Sequence, residues 1–314
     1  MIMTDITAVG EILIDLTQSG VNGQGIPRFD ANPGGAPANL AVAASRLGAS
    51  TAFIGKVGKD SFGDFLRGCL TENGVDVTGM VADPVQHTTL AVVALDPSGE
   101  RHFSFYRDPS ADVNLKGSEI SDEQLKTTRF LHFGSVSLTA EPARSATLYA
   151  AETAKELGAL ISYDPNYRAS LWPDEKTAVE QMRSPLPLVD VLKVSDEELP
   201  LLTGTEDLEA GTALLAEKGI SLILVTLGPK GAFYRFRGQT GLVPGVPCKV
   251  GDTNGAGDTF FGAALSQLAR LDSLDALTVP ELERIVALAN KAASITTSRH
   301  GAIPAMPTLE EVLG

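Results

Sequence analysis

The segment Asp252-Thr253-Asn254-Gly255-Ala256-Gly257-Asp258-Thr259 sets small residues at 255–257 directly ahead of an amphipathic helical run, residues 255–271. Residues with little or no side chain let main-chain N–H groups approach an anion, and the dipole of the following helix adds to the attraction. Such an oxyanion-type cradle suits a phosphoryl group in transfer. Asp258, in the first helical turn, is placed to accept the proton of an attacking hydroxyl beside it. The same spacing also fits a plain helix start, with small residues for packing and Asp258 as a cap.

Other segments have comparable chemistry. In Pro33-Gly34-Gly35-Ala36-Pro37-Ala38-Asn39, two glycines before a helix let a polyhydroxylated ligand touch the main chain, and Asn39 can both donate and accept. A simple strand-to-helix loop has the same composition. Tyr163-Asp164-Pro165-Asn166-Tyr167-Arg168 follows a strand, at the carboxyl end where α/β proteins bind ligands. Arg168 suits a hydroxyl, a carboxylate or a phosphate; alternatively this is a surface loop with Trp172 as a packing anchor. Thr226-Leu227-Gly228-Pro229-Lys230-Gly231 is a glycine-punctuated turn after a buried strand, and the acids at 196–198 read as a first helical turn.

The elements that must position these residues alternate. Strands are predicted at 6–13, 51–57, 130–138, 159–164, 190–195, 222–228 and 232–237, and helices at 38–49, 61–74, 141–158, 255–271 and 279–299. This rhythm implies βαβ units and a mostly parallel sheet covered on both faces. Two pieces break it. Residues 14–32 are irregular and Gly-rich, and residues 88–108 read as two strands joined by a turn at Asp96-Pro97-Ser98-Gly99. Together, about 12–32 and 86–108, they are expected to form a small β-sheet lid on one domain spanning 1–314. No internal repeat, coiled coil or domain linker is visible.

Composition narrows the function classes. The 314 residues are 43% hydrophobic and 20% charged, an ordinary globular balance. A net charge of −14 argues against a nucleic-acid partner, and requires any phosphate to be met by local amides, a few cations or Mg²⁺. No apolar run approaches the roughly 20 residues of a membrane helix. The N-terminus, with Asp5 and Glu11, does not read as a signal peptide. Cys69 and Cys248 read as reduced thiols of a cytoplasmic protein. There is no GxxxxGK[ST], no GxGxxG after a strand and no HRD–DFG set, and the four histidines lack metal-ligand spacing.

The string DTNGAGDTF closely resembles the C-terminal signature of the ribokinase (PfkB) family, and GGAPANLAVAASRLGA running into FIGKVGKDSFG resembles its N-terminal signature. The resemblance covers essentially the whole chain. It implies a three-layer α/β/α fold with a lid, ATP as phosphoryl donor, Asp258 as base and residues 255–257 as anion hole. It further implies that Gly34, Gly35 and Asn39 hold the sugar, with Asp15 matching an acid that reaches sugar hydroxyls from the first strand. On the nucleotide side it implies Lys193, Ser195, Thr226, Gly228, Gly231 and Asn290. Glu198 matches the Glu that organises Mg²⁺ through water, although Ser195 stands where relatives have Asn. Asp252 and Gly301 match a monovalent-cation (K⁺) site, whereas Ala305 replaces a polar ligand there. Within the family, Pro37 and the segments FYRDPSADVNL, HFGSVSL and SYDPNYRASLWP look like fructokinases, implying transfer to O6 of D-fructose. A 2-keto-3-deoxygluconate kinase shares the Arg168 segment and is the alternative; a catalytically silent sugar or nucleotide sensor is another. A homodimer through the lid is also expected.

Overall fold

The computed structural model describes residues 3–95 and 101–314. Its strands are β1 (Thr4–Val9), β2 (Leu13–Val21), β3 (Pro27–Gly34), β4 (Thr51–Gly58), β5 (Val75–Asp83), β6 (Leu90–Leu95), β7 (Arg101–Tyr106), β8 (Thr128–Gly134), β9 (Leu160–Asp164), β10 (Val191–Ser195), β11 (Leu222–Thr226), β12 (Gly231–Phe236) and β13 (Gln239–Pro244). The α-helices are α1 (Ala36–Arg46), α2 (Ser61–Glu72), α3 (Asp122–Lys126), α4 (Ala143–Glu156), α5 (Glu175–Arg183), α6 (Glu198–Thr203), α7 (Leu208–Ala216), α8 (Ala256–Leu268), α9 (Val279–Thr297) and α10 (Leu309–Leu313).

The large sheet runs β13-β12-β11-β10-β9-β8-β1-β4-β5. Its pairs from β11 through β5 are parallel, and only β12 and β13 are antiparallel. Both faces are buried, which is why its strands read as continuous apolar runs. In β11, Ile223 and Val225 face α4–α7 through a core that includes Ala150, Met182 and Leu199. Leu222 and Leu224 face the opposite core, with Leu40 of α1, Phe260 of α8 and Leu282 of α9. The result is the three-layer arrangement expected from the alternation.

The lid is a second sheet, β3-β2-β6-β7. β2 pairs antiparallel with β3, β6 antiparallel with β7, and the central β2–β6 pair is parallel. The two irregular sequence pieces therefore do combine as anticipated. The Asp96-Pro97-Ser98-Gly99 turn lies outside the described residues.

Several expectations are corrected. Residues 6–13 are not one strand: β1 ends at Val9, Gly10 takes φ +150, and the chain enters the lid as β2 at Leu13. Asp15 accordingly sits on a lid strand, not on the first body strand. The stretch at 14–32 is two paired strands; a register shift at Gln18/Gly20 and a turn closed by Asn22 Oδ1, which accepts from Gln24 and Ile26 amides, disguise its period. The strand expected over 130–138 ends at Gly134 and continues as a 3₁₀ turn, Val136–Leu138. Edge strand β5 carries no clear sequence signal because its exposed Asp76 and Thr78 and half-buried Gly79 dilute the apolar pattern.

Candidate active site

Helix α8 begins at Gly255, whose φ of +74 is a left-handed conformation that costs glycine little. A Cβ there would lie 2.9 Å from Cβ of Ala302. The first turn of a helix leaves its amides without intrahelical partners. Gly255 and Gly257 both line a cavity of about 810 Å³ between body and lid. Ala256 does not: its N–H turns back to the carbonyl of Thr253 at 3.3 Å. Of the predicted 255–257 triplet, the two glycines are the residues that line the cavity.

Asp258 follows one residue later, buried and lining the same cavity. Its carboxylate is held on both oxygens. Asn39 Nδ2, from α1, donates to Oδ2 at 2.8 Å, and Asn166 Nδ2, from the loop after β9, donates to Oδ1 at 3.1 Å. Burial pushes this carboxyl above its ordinary range, against the pull of those amides and of the Lys193 and Arg168 charges. Asn39 is therefore spent on Asp258 through its amide, while its Oδ1 has no partner among the described residues and remains an acceptor beside the cavity.

Lys193, in the middle of β10, is the buried cation at this site. Its Nζ donates to Asp164 Oδ2 at 2.9 Å and lies 3.1 Å from where a Cβ of Gly257 would be. Burial alone would lower its pKa, but the carboxylates of Asp164, Glu198 and Asp258 outweigh that and hold it above the ordinary value. A fixed ammonium thus stands beside the amide cradle. Neighbouring His132, buried against Phe261 and close to Lys193, is driven down to about 3 by burial and stays neutral.

From the lid, Asp15 reaches the cavity; burial raises it to about 6, opposed by the Asn254 side chain and Arg168 of the body. Gly34 makes room for that carboxylate, since a Cβ on it would sit 2.4 Å from Asp15 Oδ2. Gly35 and Arg168 line the cavity too. Asp252 lies beside them, its Oδ2 accepting from the Gly301 amide at 3.3 Å. Asp15, Gly35, Asn39, Arg168, Lys193, Asp252, Gly255, Gly257 and Asp258 are therefore brought together.

The remaining candidates are not in this cavity. Glu198 is buried, its Oε1 accepting from Tyr167 N at 2.7 Å and its Oε2 from Ser195 N at 2.8 Å, while Ser195 Oγ accepts from Glu198 N. Thr226 Oγ1 reaches the Val194 carbonyl at 3.4 Å, and Gly228 and Gly231 take φ +56 and +102 in the turn between β11 and β12. Gly231 packs so tightly that a Cβ would meet the Val243 carbonyl at 2.1 Å. Asn290 donates to the carbonyls of Val243 and Pro244, both at 3.1 Å. Among the described residues no cluster of three or more His, Cys, Asp or Glu is arranged for a metal. Sequence reasoning had no role for Asn166, Asp164 or Asn254. The first two stand inside the quoted SYDPNYR string, so the segment was found and their partners were not.

The pfkB family carbohydrate kinase profile matches residues 3–309. The chain is 46% identical over 98% of its length to probable fructokinase-4 of Arabidopsis thaliana, covering 95% of that protein. It superposes on the fructokinase of Xylella fastidiosa with bound ATP at TM-score 0.92, with 35% identity, 99% of this chain and 98% of that one. For the fructokinase of Vibrio cholerae O395 in its fructose-, ADP- and calcium-bound form the TM-score is 0.89 and the identity 37%, with the same coverage. A cradle of amides, a clamped carboxylate and a covering lid on this fold, matched along nearly the whole chain, place the protein in the pfkB family of carbohydrate kinases.

Proposed function

We propose that the protein transfers the γ-phosphoryl group of ATP to O6 of D-fructose, giving fructose 6-phosphate and ADP. The observation that carries this reading is Asp258, fixed on both oxygens at the start of α8 and facing a cavity shared with Gly255, Gly257 and the lid carboxylate of Asp15. The fructokinase relatives support fructose as acceptor, and the ATP-, ADP- and calcium-bound neighbours support use of ATP with a divalent cation.

In this mechanism the sugar lies between Asp15, Gly35 and Asn39, with O6 toward Asp258. As O6 attacks the γ-phosphorus, its proton passes to the Asp258 carboxylate. The P–O bond to the β-phosphate breaks and its electron pair leaves with ADP. The amides of Gly255 and Gly257 and the Lys193 ammonium face the oxygens on which charge accumulates. Lid closure excludes water, protecting ATP from hydrolysis. Mg²⁺ neutralises phosphate charge when bound. Among the described residues no acids are clustered for a metal, and Glu198, whose oxygens each keep a lone pair beyond one amide donor, would help hold such an ion through water. Ser195, Thr226, Gly228, Gly231 and Asn290 lie toward the nucleotide, outside the sugar cavity.

A phosphorylation screen with ATP·Mg²⁺ over fructose, 2-keto-3-deoxygluconate, ribose, glucose and adenosine tests the assignment; a stronger kcat/KM on any other acceptor ends the fructose reading. The exposed, cavity-lining Arg168 favours the keto-acid as second reading, because among the described residues its Nη1 donates to the carbonyls of residues 166 and 167, and its charge lies where a substrate carboxylate could meet it. Asp258→Asn lowers kcat by about 100- to 10,000-fold with fructose still bound; near-normal turnover refutes the base.

Asp252 beside Gly301 is our proposed K⁺ position; activity in K⁺ equal to that in a bulky organic cation removes it. The lid exposes Val21, Ile26, Phe29 and Tyr106, which supports pairing with a second copy; a monomer in sedimentation at micromolar concentration excludes that. The unbonded Cys69 and Cys248 support a cytoplasmic location, and no helix among the described residues is long and apolar enough to cross a membrane. Detection of the protein only in a sealed organelle overturns that location.

A further inference from the structure

Asn166 is held in an unusual way for a loop residue. Its φ is +47, in the left-handed region that asparagine tolerates better than most residues but still occupies sparingly. Three elements pin the loop around it. Asp164 Oδ1, at the end of β9, accepts from Asn166 N at 3.2 Å. Glu198 of α6 accepts from Tyr167 N at 2.7 Å. The amide of Ser135, just past β8, donates to the Pro165 carbonyl at 3.0 Å. Asp164 uses its other oxygen on Lys193, so the pair beside the cradle also shapes this turn. A backbone held in a costly region by its surroundings points to a function for the side chain it aims, and that side chain donates to Asp258 Oδ1.

We propose that Asn166 is a positioning residue for the base: together with Asn39 it fixes the rotation of the Asp258 carboxylate and, as a donor, favours its ionised form against burial. The inference rests on the reading of Asp258 as base. With one amide on each oxygen, the carboxylate plane has no free rotation, and its remaining lone pairs are presented to the acceptor hydroxyl. The other charges facing Asp258 are the cations Lys193 from β10 and Arg168 from the same loop, and the carboxylates of Asp15 and Asp164. Removing the Asn166 donor therefore leaves burial and two like charges less opposed.

Two variants separate this role from loop packing. Asn166→Gly deletes the amide and accepts φ +47 without steric cost. Asn166→Asp keeps size and turn preference but cannot donate when ionised. For Asn166→Gly we expect an unchanged thermal midpoint and KM values for sugar and ATP within about two-fold, with kcat down roughly 10- to 100-fold, the worth of one hydrogen bond to a charged group. The acid limb of the kcat–pH profile moves up, and further in Asn166→Asp. A kcat loss that tracks a lower midpoint, or an unchanged kcat with an unmoved acid limb, overturns the proposal. Asp258→Asn is the reference: if it turns over normally, the base assignment fails and this inference falls with it. If the wild type prefers another sugar, the same comparison is made on that sugar, and only the fructose assignment is lost.

Discussion

Glu11 and Asp15 illustrate what burial does to single carboxylates near this cavity. Burial raises Glu11 to about 7 and Asp15 to about 6. In the unfolded chain both titrate near 4. Between those values the native state holds more protons than the unfolded one, so unliganded stability falls as pH rises from about 4 to 7. Thermal midpoints across that window should decline, and Asp15→Asn should flatten the decline; a midpoint that rises steadily to pH 7 contradicts the assignment. The residues proposed for the chemistry were legible where the sequence spelled a contiguous string: Gly255, Gly257 and Asp258 line the cavity from one helix start, which local pattern can reveal. The clamp on Asp258 was not legible. Asn39 lies 219 and Asn166 92 positions away, and nothing in their local sequence states that both amides converge on one carboxylate.

At the scale of elements, two of the four chain segments that join body to lid cross at Gly35. Its φ is +107, and a Cβ there would approach the Glu11 carbonyl at 2.6 Å and Ile12 Cα at 2.9 Å. Those are main-chain atoms that cannot swing aside. Gly35→Ala should therefore cost on the order of 3 kcal/mol of stability, measured by denaturant unfolding. Gly34→Ala differs in kind, because the atom it meets is the Asp15 carboxylate, the end of a side chain. That variant should fold, raise the sugar KM and leave the ATP KM near wild type; an unchanged sugar KM would falsify the placement of Asp15 against the sugar. The body's layers were readable because buried parallel strands and amphipathic helices have distinct periods. In the lid, residues 88–108 read as two strands and a small sheet was expected, whereas 14–32 read as irregular, since a bulge at Gln18/Gly20 and a strand split at Gly10 hide both ends of β2.

Across the whole molecule, a net charge of −14 coexists with a site for highly anionic substrates. On the proposed reading the resolution is local: two glycine amides, the dipole of α8 and the Lys193 ammonium, all at the cavity, would meet the phosphate. The lid seam has a separate consequence. Its central pair, β2 with β6, is parallel, and the chain between them runs through α1, β4, α2 and β5. The lid is thus stitched into the body at four crossings and is no insertion that one excision could remove or one splice transplant. During refolding each hairpin can form alone, but the seam is expected to wait until α1, β4, α2 and β5 have assembled, because that assembly shortens the loop it must close. Pulse-labelling hydrogen exchange should find the amides of β2 and β6 that face each other protected after those of β1 and β4, and a seam protected first would show that the lid templates the body instead.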